Sequence, residues 1–425
     1  MKLLIKNGRV IDPSSGIDET LDILIEKGKI ADIKPKIEMS KVKTIDATRL
    51  IIAPGFIDMH THLREPGQED KETIKTGSMA AAKGGFTSIC CMPNTSPVND
   101  NRGVTEYILS EAKKSSVVNI FPVAAVSLGQ RGEELTDMAD LVDAGAIAFS
   151  DDGCPVHNSN LMRRALEYSK LLDTLIIDHC EDLNLSEDGV MNEGYYSYLF
   201  GLKGIPSSSE ETMVSRNIIL AEKAEARLHL AHVSTRGALR FLREAKKKKL
   251  AVTAEVTPHH LILDDSSLQS YDTNLKVNPP LRSRDDVKAL LAAVREGIID
   301  VIATDHAPHT PDDKDVEFNR APSGINGLET AVSLLLDRLV NTNIISIQRL
   351  IEMASTNPAR ILKLKNKGKI TVGADADLTL LNLFREIVID VSKFKSKGRN
   401  NPFHSWKLKG VPSMTIVRGR VVYPF

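Results

Sequence analysis

The chain has little cysteine and no long apolar run. Its four cysteines among 425 residues follow no spacing typical of a zinc finger or a disulfide framework. We therefore expect a reducing compartment and small, buried, free thiols. No apolar stretch approaches the roughly 20 residues that a membrane helix needs. The N-terminal segment alternates apolar and polar residues, which predicts a strand instead of a signal peptide. We expect a soluble, cytoplasmic protein.

An excess of charge of one sign is also missing. The chain has 55 basic and 56 acidic residues, and its formal net charge is -1. Nothing in that balance indicates a nucleic acid or a membrane surface as partner. The one basic block, Lys246–Lys249, is typical of a solvated helix end. Apolar residues make up 42% of the chain, so a sizeable core can form and general disorder is excluded.

Two β-rich termini enclose a long segment in which strands alternate with helices. Residues 1–52 alternate in polarity and contain turn dipeptides, and this pattern returns from 366 to 425. Between them, residues 53–365 carry about eight strand–helix repeats, which predict an α/β fold, a (β/α)8 TIM-type barrel. We expect both termini to form one small, composite β-sandwich domain packed beside it. The predicted helices span 71–84, 103–114, 134–144, 159–171, 210–226, 236–247, 285–296 and 327–363.

Histidines and aspartates stand at the ends of five predicted barrel strands. Barrel enzymes carry their chemistry at the carboxyl ends of the strands. The first strand ends on His60 and His62, which share one face because they lie two residues apart. Such a pair alone is also typical of a polar rim. The later strand ends add Asp151, Asp152, His179, His232, Asp305, His306 and His309. Together they are typical of a binuclear divalent-metal site, for which zinc is favoured although manganese or cobalt would also fit.

The ligands divide between two metals. We assign His60, His62 and Asp305 to one metal, and His179 and His232 to the other. A carboxylate should bridge them, either Asp151 or Asp152. Since neighbouring strand residues face opposite sides, only one of the two can point inward. Asp152 is preferred, but counting residues alone leaves the choice open.

Seven motifs together resemble one family. They are "PGFIDMHTHLREPG", "CMPNT", "SDDGCPV", "DHCED", "TPHHL", "VNPPLR" and "TDHAPHT". In combination they resemble the class I dihydroorotases of the amidohydrolase superfamily, over essentially the whole chain. The resemblance implies an amidohydrolase barrel that reversibly closes N-carbamoyl-L-aspartate to L-dihydroorotate in the pyrimidine (UMP) biosynthetic pathway. It implies two Zn²⁺ per subunit, with Asp305 as the proton shuttle and the metal ligands His60, His62, Asp152, His179, His232 and Asp305. No lysine stands beside Asp152, although a carboxylated lysine bridges the metals in many superfamily members, so the second metal is expected to bind more weakly.

The resemblance also implies a set of substrate contacts. They are His62, Arg64, Asn94, Asn278, His309, Ser323 and Gly324. A guanidinium binds a carboxylate bidentately, and both dihydroorotate and N-carbamoyl-L-aspartate carry a carboxylate that does not react. Arg64 would point the same way as His62 if the strand geometry persists. Asn94 and His309 would bind the same carboxylate, although Asn94 is also typical of a helix cap. Asn278 would bind the ring, and the backbone at 323–324 would contact the substrate.

Two rival interpretations remain. A dihydropyrimidinase (hydantoinase) or allantoinase acts on a substrate without this carboxylate, and those families usually keep the bridging lysine. A catalytically dead relative that serves as a structural partner of aspartate carbamoyltransferase has typically lost metal ligands, whereas this chain retains all six. Association with that transferase and a homo-oligomer are both expected as possible assemblies. His157, His259, His260 and His306 are interpreted as structural or supporting residues, and the polar segment 310–320 is a candidate for a mobile loop over the site.

Overall fold

Eight parallel strands close into a barrel in the computed structural model, which describes residues 2–424. The barrel strands, first to eighth, are Phe56–Thr61, Phe86–Cys91, Asn119–Ala124, Ala148–Phe149, Ile176–Asp178, Leu228–Leu230, Val252–Val256 and Val301–Ile302. Each pairs with the next along the chain. The first and eighth meet just beyond their ends, where the His62 N–H donates to the His306 carbonyl oxygen at 2.8 Å. The predicted (β/α)8 barrel is confirmed.

Helices cover the barrel, and their ends follow local capping residues. The predicted helices over 159–171 and 236–247 have the observed bounds. The first helix begins at Ile74, not at residue 71, because the Thr73 side chain caps it by accepting from the Thr76 N–H. The outer helices are Ile74–Gly84, Arg102–Ser115, Met138–Ala144, Ser159–Leu171, Ser207–Ala224, Arg236–Lys247, Arg284–Glu296, Ala331–Leu335, Ile347–Ile351 and Asn357–Ile361, with π-helical turns at Leu336–Val340 and Glu352–Thr356.

The two chain termini share one sheet. Its strands are Lys2–Asp12, Ile17–Glu26, Lys29–Lys34, Lys43–Asp46, Ile51–Pro54, Leu378–Val388, Lys407–Val417 and Arg420–Tyr423. The joint is the antiparallel pair of Leu378–Val388 with Ile51–Pro54. Apolar residues from both termini, such as Ile5 and Leu380, form a core cluster of this sheet domain. The composite terminal domain is thus observed, while its division at residues 52 and 366 stays a prediction.

One part of the C-terminal region leaves this sheet and reaches the mouth of the barrel. We call residues 389–406, between strands Leu378–Val388 and Lys407–Val417, the C-terminal loop. Its Asn401 side chain donates to the Asn326 carbonyl oxygen at 2.7 Å. Its Ser396 hydroxyl donates to the buried Glu72 carboxylate. The alternating pattern of the flanking strands gave no sign of this contact with the barrel.

Several short elements lie at the carboxyl ends of the strands. Between the fifth and sixth strands the chain forms the small strands Met191–Asn192 and Gly204–Ile205, which sequence periodicity did not predict. The short helices are Leu183–Ser186, Tyr195–Phe200, Pro258–Ile262 and Pro311–Lys314, and 3-10 turns lie at Leu128–Gln130, Asp265–Ser270, Thr273–Leu275 and Val391–Lys393. Across residues 2–424, none of the helices combines the length and the apolar character that crossing a membrane requires.

The prediction that all four cysteines are buried is wrong for one of them. Cys90, Cys91 and Cys180 are buried free thiols, whereas Cys154 is exposed. The difference arises because the fourth barrel strand ends at Phe149, so Cys154 lies in the loop beyond it. Being near an apolar run was therefore not enough to bury its side chain.

Candidate active site

All six predicted metal ligands meet at the carboxyl ends of the barrel strands. His60 lies in the first strand and His62 directly follows it, while the other four follow the fourth, fifth, sixth and eighth strands. Each of the six residues is buried. A cavity of about 270 Å³ opens beside them. Its lining includes every predicted substrate contact: His62, Arg64, Asn94, Asn278, His309, Ser323 and Gly324.

One group of possible ligand atoms comes from the first and eighth strands. His62 Nε2 lies 3.1 Å from Asp305 Oδ1, and His60 Nε2 lies 3.6 Å from the same oxygen. Ligand atoms of these three residues all lie within 4.8 Å of one another, so they could hold one metal ion. This is the grouping that the sequence predicts for the first metal.

A second group forms around Asp152. Asp152 Oδ1 lies 3.2 Å from His60 Nε2 and 3.5 Å from His232 Nε2. These three residues again offer ligand atoms within 4.8 Å of one another. His179 Nδ1 lies beside them, 3.0 Å from His232 Nε2 and 3.8 Å from Asp152 Oδ1. His60 therefore belongs to both groups, and Asp152 lies between the imidazoles of the two.

Two buried atoms of these groups suit a cation. His60 Nε2 and Asp152 Oδ1 have no hydrogen-bond partner among the described residues, although both are buried. A buried polar atom without a partner is costly, and a bound cation would satisfy both atoms at once. Burial raises the pKa of Asp152, but the positive field of His60 and the nearby His232 imidazole outweigh it and hold the pKa well below its usual range. The site thus offers an ionised carboxylate and imidazoles, the donor set that Zn²⁺ prefers.

The structure distinguishes the two adjacent aspartates. The Asp151 carboxylate accepts hydrogen bonds from the Val126 N–H at 2.8 Å and the Ser127 N–H at 3.1 Å. It is also bonded to the Ser127 hydroxyl. Asp151 therefore holds the loop after the third strand, whereas Asp152 lines the cavity.

Three side chains orient the imidazoles by contacting the ring nitrogen that points away from the candidate ligand groups. His60 Nδ1 lies 2.7 Å from Glu255 Oε1, His62 Nδ1 lies 2.8 Å from Asn94 Oδ1, and His179 Nε2 lies 2.9 Å from Glu181 Oε2. Because carboxylate and amide oxygens accept, a proton sits on the nitrogen facing them, and the opposite ring nitrogen is the one that would bind a cation. Asn94 keeps its amide N–H groups for a ligand. Glu181 also accepts from Asn278 Nδ2 at 2.8 Å.

Two of these orienting residues, Glu181 and Glu255, were not predicted from the sequence. Glu181 lies two residues after His179, the spacing that drew attention to the pair His60 and His62. Glu255 is a charged residue inside the apolar seventh strand, Val252–Val256, where it is fully buried. A charge in a buried strand needs partners, and this was the signal that could have identified it.

Arg64 and His309 line the opposite part of the cavity. The first strand ends at Thr61, and Arg64 adopts a left-handed backbone conformation with φ of 62°. The strand geometry does not persist to Arg64, so the condition for its pointing the same way as His62 is not met, yet its side chain still reaches the cavity. His309 Nε2 donates to the Ser323 carbonyl oxygen at 2.9 Å. Burial and the nearby Arg64 lower the pKa of His309 to about 3, so the imidazole is neutral.

Comparison with known proteins identifies the family. The family described as "Dihydro-orotase-like" matches residues 48–238, and the "Amidohydrolase family" matches residues 220–423. The dihydroorotase of Syntrophus aciditrophicus (strain SB) is 54% identical over 425 residues, covering 100% of this chain and 99% of that protein. The chain belongs to the dihydroorotase family. The dihydroorotase of Geobacter metallireducens is 50% identical over 424 residues, covering 100% of both chains.

Solved structures of related enzymes share the fold of this family member. The L-hydantoinase (dihydropyrimidinase) from Arthrobacter aurescens superposes with a TM-score of 0.89 at 26% identity, covering 99% of this chain and 95% of that chain. The dihydropyrimidinase from Brevibacillus agri NCHU1002 superposes with a TM-score of 0.86, also at 26% identity, with the same coverage. The chain is therefore a cyclic-amide hydrolase by family and fold, and its sequence is much closer to the dihydroorotases.

Proposed function

We propose that this protein is a metal-dependent dihydroorotase, which reversibly closes N-carbamoyl-L-aspartate to L-dihydroorotate. One observation carries the proposal. Arg64 is buried at the cavity and forms no ion pair within residues 2–424; its side chain donates only to the Pro308 carbonyl oxygen, at 3.4 Å. The carboxylates of Asp305 and Asp152 act on it only through space. A buried guanidinium without a directly bonded anion is costly, and an anionic substrate group would supply that bond. L-Dihydroorotate carries such a carboxylate on its ring, and N-carbamoyl-L-aspartate, the open-chain form, carries the same group.

The metal is proposed as Zn²⁺, with two ions per subunit. His60, His62 and Asp305 would hold one, and Asp152, His179 and His232 the second, with Asp152 between them. Divalent metals in such a site lower the pKa of water and polarise a carbonyl group. The second site is proposed to be the weaker, because Asp152 reaches less far than a carboxylated lysine.

Asp305 is proposed to move the proton. In hydrolysis, water attacks the ring carbonyl carbon; Asp305 accepts the water's proton and delivers it to the ring nitrogen as the C–N bond breaks. In cyclisation, Asp305 accepts a proton from the attacking ureido nitrogen and gives it to the hydroxyl group on the carboxyl carbon, which leaves as water. Burial raises the pKa of Asp305, but the hydrogen bond from His62 and the field of His60 pull it well below its usual range. The carboxylate therefore begins each direction ionised and able to accept.

The substrate carboxylate is proposed to lie against Arg64. Asn94 would donate an amide N–H to it, since its Oδ1 is occupied by His62. His309 would contact the same carboxylate, and Asn278 and the backbone of Ser323 and Gly324 line the remaining wall, where the ring would lie. Arg64, which has no ion pair among the described residues, favours this substrate over hydantoin or dihydrouracil, which lack the carboxylate.

The cellular setting is part of the same proposal. We place the reaction in pyrimidine biosynthesis in the cytoplasm, and we propose a homo-oligomer that can associate with aspartate carbamoyltransferase. No nucleic acid or membrane partner is proposed. Size-exclusion chromatography with and without the transferase would test both assemblies.

The first experiment compares ring substrates and metal content in one sample. Turnover of L-dihydroorotate, dihydrouracil and allantoin is measured on protein whose metal content has been determined. We expect bound zinc and turnover of dihydroorotate alone, and a loss of about a hundredfold in kcat/KM for Arg64→Gln, since a bidentate charged contact is removed. Preferred turnover of dihydrouracil would favour the hydantoinase interpretation. A protein with neither metal nor turnover would instead support the structural-partner interpretation.

A further inference from the structure

Asn400, in the C-terminal loop, lies far from the metal ligands in sequence but contacts the wall of the substrate cavity. Its side chain is only 3% exposed. Its Nδ2 donates to the Ala307 carbonyl oxygen at 2.9 Å and to the Gly324 carbonyl oxygen at 3.0 Å. Its Oδ1 accepts from the His309 N–H at 2.9 Å. All three hydrogen-bonding groups of this amide are therefore used on the two segments that line the cavity.

Both segments belong to the loop between the eighth strand and the helix Ala331–Leu335. Residues 307–309 follow the eighth strand, and residues 323–324 follow the polar segment that was a candidate for a mobile loop. They approach so closely that a Cβ on Gly324 would lie 2.7 Å from the Ala307 Cβ. The His309 imidazole adds a second link by donating to the Ser323 carbonyl oxygen at 2.9 Å. A single amide thus fixes both the backbone of His309 and the carbonyl of Gly324.

The bonding pattern requires an amide. Two carbonyl oxygens need donors and one N–H needs an acceptor, and an asparagine side chain offers that combination in a fixed plane. An aspartate would place a negative oxygen against carbonyl oxygens, and an alanine would leave three buried backbone groups without partners. The next residue, Asn401, is also a buried amide of the loop. It serves the Asn326 carbonyl oxygen and the Phe403 N–H instead, and neither residue lines the cavity.

We infer that Asn400 is a positioning residue for the substrate carboxylate: it holds His309 and Gly324 at the separation that Arg64 needs to bind the anion. The inference rests on the proposed function. If the inference holds, the C-terminal loop, which connects two strands of the terminal sheet, helps to shape the side of the barrel cavity that recognises the carboxylate. Small displacements of a binding wall weaken recognition strongly, because a charged contact depends on distance and orientation.

The test compares Asn400→Ala with Asn401→Ala as the matched control. KM and kcat are measured for L-dihydroorotate, and calorimetry measures binding of orotate, which carries the carboxylate, and of uracil, which does not. We expect Asn400→Ala to raise KM and weaken orotate binding about tenfold, from the loss of hydrogen bonds that order the wall. The kcat value, uracil binding and metal content should stay within about twofold, and Asn401→Ala should match the wild type in all of them.

The outcomes separate this inference from the proposed function. A wild-type protein that binds orotate no better than uracil would overturn both. A wild type with the expected preference, together with folded Asn400→Ala of unchanged KM and orotate affinity, would overturn the inference alone. If Asn400→Ala does not fold, Asn400→Ser is used, because it keeps one donor and one acceptor. If that variant also fails to fold, the amide serves the fold, and the inference is wrong.

Discussion

The buried carboxylates around the cavity differ in their partners, and those partners decide what each one does. Asp151 accepts backbone N–H groups and belongs to the frame. Asp152 and Asp305 face imidazoles and are available to a cation. Glu255 lies between His60 and His229, with its two oxygens 2.7 Å and 3.1 Å from their ring nitrogens. Carboxylates at the mouth of one barrel thus have three roles: they hold a loop, they are available to a cation, or they orient histidines.

Asp305 is expected to be the most sensitive residue for turnover. Asp305→Asn keeps the size of the side chain but cannot accept a proton, so kcat for dihydroorotate should fall about a thousandfold. Orotate binding should weaken far less, because Arg64 is untouched. Steady-state kinetics and calorimetry measure the two effects, with the exposed Asp312→Asn as control. Near-normal turnover by Asp305→Asn would contradict the assigned proton transfer.

Glu255 is expected to act through metal affinity. Glu255→Gln keeps only one acceptor oxygen for the two histidines, so the His60 tautomer that frees Nε2 is less favoured. Such outer partners of a metal ligand typically contribute about 10–100-fold in affinity. Competition with a chromogenic chelator should reveal a loss of this size. The exposed Glu296→Gln should behave as wild type, and an unchanged affinity in Glu255→Gln would refute the orienting role.

At the scale of elements, the segment between the eighth strand and Ser323 is pinned by two buried lysines. Lys314 Nζ donates to the carbonyl oxygens of Thr273 at 3.1 Å and Pro322 at 2.7 Å. Lys276 Nζ donates to those of Phe318 at 2.9 Å and Asn319 at 3.0 Å. The segment is therefore held on both sides by hydrogen bonds, whereas its polar sequence made it a candidate for a mobile loop.

This arrangement predicts a pH dependence of stability. Burial, followed by the charge of Lys276, lowers the pKa of Lys314 from its usual 10.5 to about 7. Above pH 7 the folded protein releases a proton that the unfolded chain keeps, so the free energy of unfolding gains a contribution that rises with pH. Between pH 7 and 9 this gain should be up to about 2 kcal/mol. Urea unfolding at both pH values measures it.

Lys314→Met is the comparison for that measurement. It removes the titrating group while keeping a side chain of similar length, so its free energy of unfolding should lack the gain found in the wild type. Lys365→Met, at an exposed position, should retain it. An equal change between pH 7 and 9 in wild type and Lys314→Met would show that other groups cause the dependence.

At the scale of the whole molecule, the two candidate ligand groups bring together residues from strands around the barrel. Their side chains come from the first, fourth, fifth, sixth and eighth strands, which lie around the full circle. The barrel closes between the first and eighth strands, and both of these contribute to the group of His60, His62 and Asp305. A bound ion would therefore stabilise the closed form over any form in which these strands separate.

Removal of metal should lower the thermal stability of the protein. Free metal at about a hundred times its Kd contributes about 3 kcal/mol to the folded state. Calorimetry of chelator-treated protein should show a Tm lower by several degrees. Added Zn²⁺ should restore it, whereas Mg²⁺, which avoids imidazole ligands, should not. A Tm that is independent of metal would contradict the proposed ligand groups.

The sequence by itself determined the barrel, the joined termini and the set of residues at the strand ends. Each of these follows from local patterns: the period of apolar residues, the turn residues, and the position of His60, His62 or Asp305 at the end of an apolar run. Parallel strands bring their carboxyl ends to one edge, so the sequence alone is enough to group residues that lie far apart along the chain.

Only the tertiary structure decided how those residues are used. It turned Asp152 toward the cavity and Asp151 toward the backbone N–H groups of Val126 and Ser127. It also set Glu255 behind His60 and carried Asn400 from the terminal sheet to the barrel mouth. These choices depend on hydrogen bonds between segments that are tens or hundreds of residues apart. The local pattern of apolar residues does not predict such contacts, because it indicates which face of an element is buried but not which residues that face contacts.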